Sequence, residues 1–138
     1  MTLSKILHTP LFKSPLAIVR IWLGITFINH GLPGIFSADY MDGFVGMMEV
    51  YDLPMPTLMA YLSKTVELVA GICLVLGLFT RFAAALIGIN MLFAIIMAFN
   101  GSIFDDFQGE ISFTYFILAL VLFLKGSTDY SLDRLLFK

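Results

Sequence analysis

His30 and Glu67 are the two side chains of this sequence whose types suit them best to moving a proton. An imidazole titrates near neutrality, and a carboxylate held at a similar membrane depth can exchange a proton with it. Such a pair suits proton exchange with a quinone, or a relay from the outer surface. Glu67 stands out by position. The thirteen residues Leu68–Thr80 carry no charge, and the acid falls about midway along the 22-residue stretch 58–79. A charge near the centre of such a span costs about 2.5–3.5 kcal/mol on insertion scales, so it normally faces protein or trapped water. A plain structural reading uses the same atoms. The carboxylate would then hold two helices together, and the imidazole would bond a backbone carbonyl near its helix end.

Around this pair, Arg20, Asn90, Glu110, Gly31 and Gly71 are the candidates for shaping a pocket. Each has a structural alternative. Asn90 serves equally as glue between helices. Arg20 and Arg81 serve as topology anchors, with the Arg20 guanidinium expected to snorkel outward. Glu110 suits the positive N-terminal end of a helix. Arg20, Gly24, Phe27 and Gly31 recur at i, i+4, i+7 and i+11, with His30 one residue off that face. Ala60, Ser63, Glu67 and Gly71 recur at i, i+3, i+7 and i+11, which puts Glu67 on a small-residue seam. The eight methionines lack ligand spacing with histidine, so they read as packing and no metal site is expected. The single cysteine, Cys73, allows neither an internal disulfide nor a CxxC couple. No nucleotide-binding loop, haem-attachment motif or nucleophile elbow is present, and no bound flavin is expected.

These residues sit in a chain of 138 residues, 59% hydrophobic and 13% charged, with a mean hydropathy of +0.95. A soluble domain of that size cannot hide so much apolar surface, so the bilayer has to be part of the solvent. The net charge of −2 offers no basic stripe for nucleic acid. The expected fold is all-α: a single domain over 1–138, an integral membrane four-helix bundle with spans at about 16–36, 58–79, 82–100 and 110–125. At about 1.5 Å rise per residue the second span reaches roughly 33 Å, enough to cross.

Residues 1–15 read as an arm at the headgroup level, with no cleavable signal peptide. Pro33 and Gly34 are expected to bend or fray the end of the first span. Between the first two spans, Tyr40, Phe44, Met47, Met48 and Tyr51 form an apolar stripe opposite Asp39, Asp42, Glu49 and Asp52. That predicts a short amphipathic helix, lying on the membrane surface or capping the bundle. Thr80-Arg81 reads as a tight turn before the third span, in which Asn90 shares a face with Ala83, Ile87, Ala94 and Met97. The fourth span has a charge-free core of only fourteen residues, 111–124, which calls for snorkelling flanks or a thinned bilayer. In the tail, Leu132, Leu135 and Leu136 are expected on the membrane.

Four spans with both ends on one side place Lys5, Lys13, Arg20, Arg81, Lys125, Arg134 and Lys138 together, against Lys64 alone on the other side. Seven against one puts both termini in the cytoplasm.

Three stretches then carry a family resemblance: Arg20-x3-Gly24-x2-Phe27-x2-His30-Gly31, VELVAGICLVLGLFTRFAAALIGINM over Val66–Met91, and DYSLDRLL over Asp129–Leu136. Occurring together and in order, they make the chain resemble the DoxX family of small four-helix membrane proteins. The resemblance implies a bacterial inner-membrane bundle. It also implies association with membrane oxidoreductases, since one relative is a subunit of a thiosulfate:quinone oxidoreductase and many others have no assigned role. The fold is also similar in outline to vitamin K epoxide reductase, whose paired cysteines this chain lacks. The leading expectation is a subunit or module of quinone-linked redox chemistry, with His30 and Glu67 handling protons and the electrons coming from a quinone or from a partner protein such as an oxidoreductase subunit. A small-solute binding or transport module and a non-catalytic structural partner of another membrane protein stay open as alternatives, as does a homo-oligomer. The transport alternative lacks the internal repeat and broken-helix pairs typical of secondary transporters.

Overall fold

In the computed structural model of the chain, the described residues are 14–137 without 99, 106 and 127. Most of the arm expected over 1–15 lies outside them. Among the described residues six helices follow one another: α1 (Pro15–Phe36), α2 (Ala38–Val50), α3 (Pro56–Leu76), α4 (Thr80–Ala98), α5 (Phe107–Lys125) and α6 (Leu132–Leu136). Among the described residues there is no strand. α1, α3, α4 and α5 are each long and apolar enough to cross a membrane. The architecture is therefore the expected all-α membrane bundle with an extra helix between the first two spans.

Each span begins and ends where local chemistry requires it. Pro15 and Pro56 start α1 and α3, where a missing N–H costs nothing. α3 ends at Gly77, whose φ of 67° no β-carbon-bearing residue adopts cheaply; Gly77 N–H donates to the Leu74 carbonyl and Leu78 N–H to that of Cys73. The turn therefore occupies residues 77–79, and Thr80-Arg81, expected as the turn, instead opens α4. α5 begins at Phe107, one turn earlier than the charge pattern suggested. Its 19 residues reach about 28 Å, of which only 111–124 are charge-free. α1 continues through Pro33 and Gly34 to Phe36, with Ser37 N–H donating to the Pro33 carbonyl at 2.9 Å.

The main core draws on all four spans: Leu23 and Phe27 of α1, Ala70 and Leu74 of α3, Ile87 and Met91 of α4, Ala119 and Leu122 of α5. Large apolar side chains point the other way. Trp22 and Ile25 of α1, Phe82 and Ile89 of α4, and Leu124 of α5 are exposed, as an outer surface solvated by lipid demands.

α1 and α3 approach most closely, and glycine is the reason. A β-carbon at Gly24 would stand 2.7 Å from the Gly71 carbonyl oxygen, and one at Gly31 would stand 2.6 Å from the Leu68 nitrogen. No side chain fits there. The face Arg20, Gly24, Phe27, Gly31 read from the sequence is buried along its whole length.

α2 caps one end of the bundle, keeping Phe44 and Met48 of the expected stripe inward and adding Met41 and Val45. Met41 and Met48 are buried against Leu53 and Ala60, with Phe44, Val45 and Phe93 alongside, while Met47 and Tyr51 are exposed. The buried arc is rotated towards Met41 and Val45, where α2 packs against Leu53 and Ala60.

Candidate functional site

Glu67 faces the bundle interior at about mid-span, eleven residues after Pro56 in α3, and is only 5% exposed. Two partners hold it. Lys64 Nζ lies 2.8 Å from Glu67 Oε2, and Asn90 Nδ2 donates to Glu67 Oε1 at 3.2 Å. Ser63 Oγ donates in turn to Asn90 Oδ1 at 3.0 Å. The chain Ser63–Asn90–Glu67–Lys64 thus ties α3 to α4 through one carboxylate whose two oxygens are both engaged. Asn90 reaches it because it lies ten residues into α4, at the same depth.

Lys64 is the residue that sequence reasoning missed. The charge count treated it as the lone cation of the outer side, but it is buried, 4% exposed. Three features of its surroundings accommodate the ammonium. Glu67 neutralises it; its Nζ lies 4.3 Å from the centroid of the Phe44 ring and 5.8 Å from that of Tyr40. Gly34 gives its stem room, since a β-carbon there would meet Lys64 Cγ at 2.5 Å. A sequence signal did exist: Lys64 and Glu67 are at i and i+3, one above the other on a helix face.

His30 has a different environment. Its ring is exposed and stands beside Phe27 and Tyr115, with ring centroids 6.2 and 6.4 Å away. Among the described residues no hydrogen bond or ion pair joins His30 to Glu67. The next residue, Gly31, packs on the Lys64 carbonyl and Leu68, so α1 presents its glycine edge to α3 and its imidazole to the α5 side. The geometry is of two polar positions on separate faces.

The remaining candidates lie apart from the carboxylate. Arg20 is fully buried, so it does not snorkel. Its guanidinium donates to the carbonyls of Leu74, Val75 and Tyr130 and to Thr128 Oγ1. Leu74 and Val75 are seven and eight residues along α3 from Glu67, about 11 Å at helical rise, so Arg20 clasps the opposite end of the bundle. Asp133 of α6 completes that clasp by accepting from the backbone N–H groups of Phe79 (2.6 Å) and Thr80 (2.9 Å), at the start of α4. Glu110 is exposed in the first turn of α5, away from the cluster. Gly31 and Gly71 line the α1–α3 contact, not an opening. No group of three or more His, Cys, Asp or Glu side chains that could hold a metal occurs among the described residues.

Four apolar membrane-crossing helices, a glycine-mediated α1–α3 contact and a charge-paired polar cluster at mid-depth define a small helical membrane protein with a buried carboxylate. The family pattern of DoxX matches residues 16–100, and the chain belongs to the DoxX family. It is similar to a protein of Bacillus subtilis named "Putative oxidoreductase CatD", 29% identical over 130 residues, which cover 92% of this chain and 90% of that protein. An uncharacterized protein of Haemophilus influenzae is 30% identical over 128 residues, covering 89% of this chain and 91% of the relative. An uncharacterized membrane protein of Mycobacterium tuberculosis is 33% identical over 79 residues, covering 57% and 47%. No solved structure matches the chain.

Proposed function

We propose that this DoxX-family chain is a bacterial inner-membrane module of quinone-linked redox chemistry, with Glu67 as its principal proton-handling group. The observation that carries the reading is a carboxylate buried at mid-span and held by a lysine and an asparagine. A charged group at that depth is costly, and buried ionisable groups with specific partners mark functional positions more often than chance. The redox part is supported by the name of the Bacillus relative.

Reduction of a quinone takes two electrons and two protons. In this reading a partner oxidoreductase subunit supplies the electrons and this chain the protons. His30, exposed beside Tyr115, is the group that a quinone dissolved in the bilayer meets, whereas Glu67 acts from the interior; they handle protons at separate points. The basic end of the bundle, with Arg20, Arg81, Lys125 and Arg134, faces the cytoplasm together with both termini, and Lys64 lies towards the outer side.

The test uses membranes containing the chain with its native partners and follows reduction of a short-chain ubiquinone, with the membrane level of each variant measured alongside. Per molecule of chain in the membrane, the quinone-dependent rate is abolished in His30→Ala and in Glu67→Gln, although Glu67→Gln also strands the buried Lys64 and lowers the protein level. Unchanged rates, or losses that simply follow the loss of protein, would assign both residues to structure.

A further inference from the structure

At the basic end of the bundle a cleft of about 660 Å³ opens between the start of α4 and the end of α5. Three of its lining residues are cations: Arg81, Lys125 and Arg134. Their charges are only partly used. Arg81 donates one long bond, 3.4 Å, to the Leu124 carbonyl, and Arg134 pairs with Asp129 at the exposed rim. Lys125 makes no polar contact among the described residues. The acid in the lining, Asp133, is already engaged by the Phe79 and Thr80 N–H groups. Thr80 lines the cleft too, and its buried hydroxyl has no partner among the described residues.

The level of the cleft matters. Thr80 begins one membrane-crossing helix and Lys125 ends its neighbour, so the cations stand where a 30 Å hydrocarbon layer gives way to lipid phosphates. Phe79, Phe82 and Phe137 border them, as apolar rings do at that boundary.

A second feature lies on the same two helices. An apolar groove of about 160 Å³ runs between α4 and α5, lined by Ala85, Gly88 and Leu92 on one side and Phe116, Ala119 and Phe123 on the other. Arg81, Ala85, Gly88 and Leu92 recur at i, i+4, i+7 and i+11, so the groove runs down the stripe that Arg81 heads. Gly88 is unlike the glycines of the α1–α3 contact. A β-carbon there would stand in ordinary contact with Phe116 and Ala119, at 3.8 and 3.9 Å, so α4 and α5 are spaced wider here than α1 and α3 are at their glycines.

We propose that this α4–α5 face binds one anionic diacyl phospholipid, its phosphate held among Arg81, Lys125 and Arg134 and an acyl chain lying along Ala85, Gly88 and Leu92. Charge selects the headgroup: a zwitterionic lipid carries its own cation into a site already rich in them. The groove selects a lipid over a free anion, because it offers an acyl chain an apolar seat that starts at Ala85, one helical turn from Arg81. The assignment is independent of the redox reading.

The purified chain, stripped of lipid in detergent, is given dioleoyl phosphatidylglycerol or dioleoyl phosphatidylcholine and followed by native mass spectrometry. One phosphatidylglycerol is retained at least tenfold more strongly than phosphatidylcholine. Lys125→Gln and Arg134→Gln each weaken it about fivefold, in line with roughly 1 kcal/mol per basic residue at a membrane surface. Ala85→Phe fills the groove and removes retention while the unfolding temperature stays within a few degrees. Excess inorganic phosphate does not displace the lipid. Equal retention of the two lipids, full binding by Ala85→Phe, displacement by phosphate alone, or dimers that exclude lipid from this face would each overturn the assignment.

Discussion

Lys64 Nζ sits 2.8 Å from Glu67 Oε2, three residues apart on one membrane-crossing helix, with both side chains buried. A pair of this kind has an asymmetric energetics. Assembling it costs much of what its Coulomb attraction returns, but removing one partner leaves the other charge stranded. Lys64→Met alone is therefore expected to destabilise the protein by about 3–5 kcal/mol. Lys64→Met combined with Glu67→Gln recovers most of that loss. Unfolding in nanodiscs, followed by circular dichroism, measures both; equal losses in the single and double variants would show that the two groups are not coupled.

Gly34 offers a separate handle on the same lysine. Alanine there forces the Lys64 stem aside, because its Cγ stands 2.5 Å from the new carbon. The stem is flexible, so the fold survives at a cost of about 1–3 kcal/mol. The quinone-dependent rate falls with it, because Lys64 Nζ is the partner that holds Glu67 Oε2. A Gly34→Ala variant with native stability would contradict the packing described.

Glycine substitutions along the chain divide by what lies opposite. Gly24→Ala and Gly71→Ala press on backbone atoms 2.7–2.8 Å away and separate α1 from α3, with a loss of at least about 2 kcal/mol. Gly43→Ala and Gly46→Ala, in α2 with nothing within 4 Å, gain about 0.5–1 kcal/mol from helix propensity. Thermal unfolding of the four variants checks the ordering.

The Arg20 clasp predicts a local effect. Lysine has no planar fork to reach Thr128 Oγ1 and the carbonyls of Val75 and Tyr130 together. Arg20→Lys is expected to cost at least about 2 kcal/mol and to raise amide exchange chiefly over 128–137. Asp133→Ala removes the acceptor for the Phe79 and Thr80 N–H groups and costs about 0.5–2 kcal/mol. Exchange that rises evenly over all helices in Arg20→Lys would argue against a localised clasp.

Orientation has its own check. A fluorescent reporter fused after Lys138 should be active in the cytoplasm, and an alkaline phosphatase fused there inactive. The reverse pattern would invert every assignment of depth made from charge.

The elements were legible in the residue order because they rest on local physics. Long apolar runs in water-poor solvent have one backbone solution, the helix, so the four crossings could be read directly. Periodicity gave the buried face Arg20, Gly24, Phe27 and Gly31, since side chains at those offsets share a side whatever they touch. The same logic marked Glu67 as facing protein and Asn90 as lying at a similar depth, and both lie in the polar cluster.

What periodicity cannot supply is the rotation of each helix against its neighbours, and that decided the site. His30 and Glu67 stand at compatible depths, but the closest α1–α3 approach falls on glycines, which leaves the imidazole beside α5 and the carboxylate facing α4. Arg20 could satisfy its charge in headgroups or in carbonyls; only the fold of 128–137 back over the bundle end supplied the carbonyl of Tyr130 and the hydroxyl of Thr128. Lys64 reads as a surface cation until α2 closes over it and brings the Phe44 ring to its ammonium. Depth and face are properties of one helix, whereas partnership is a property of several, and it follows from packing that no single stretch of sequence contains.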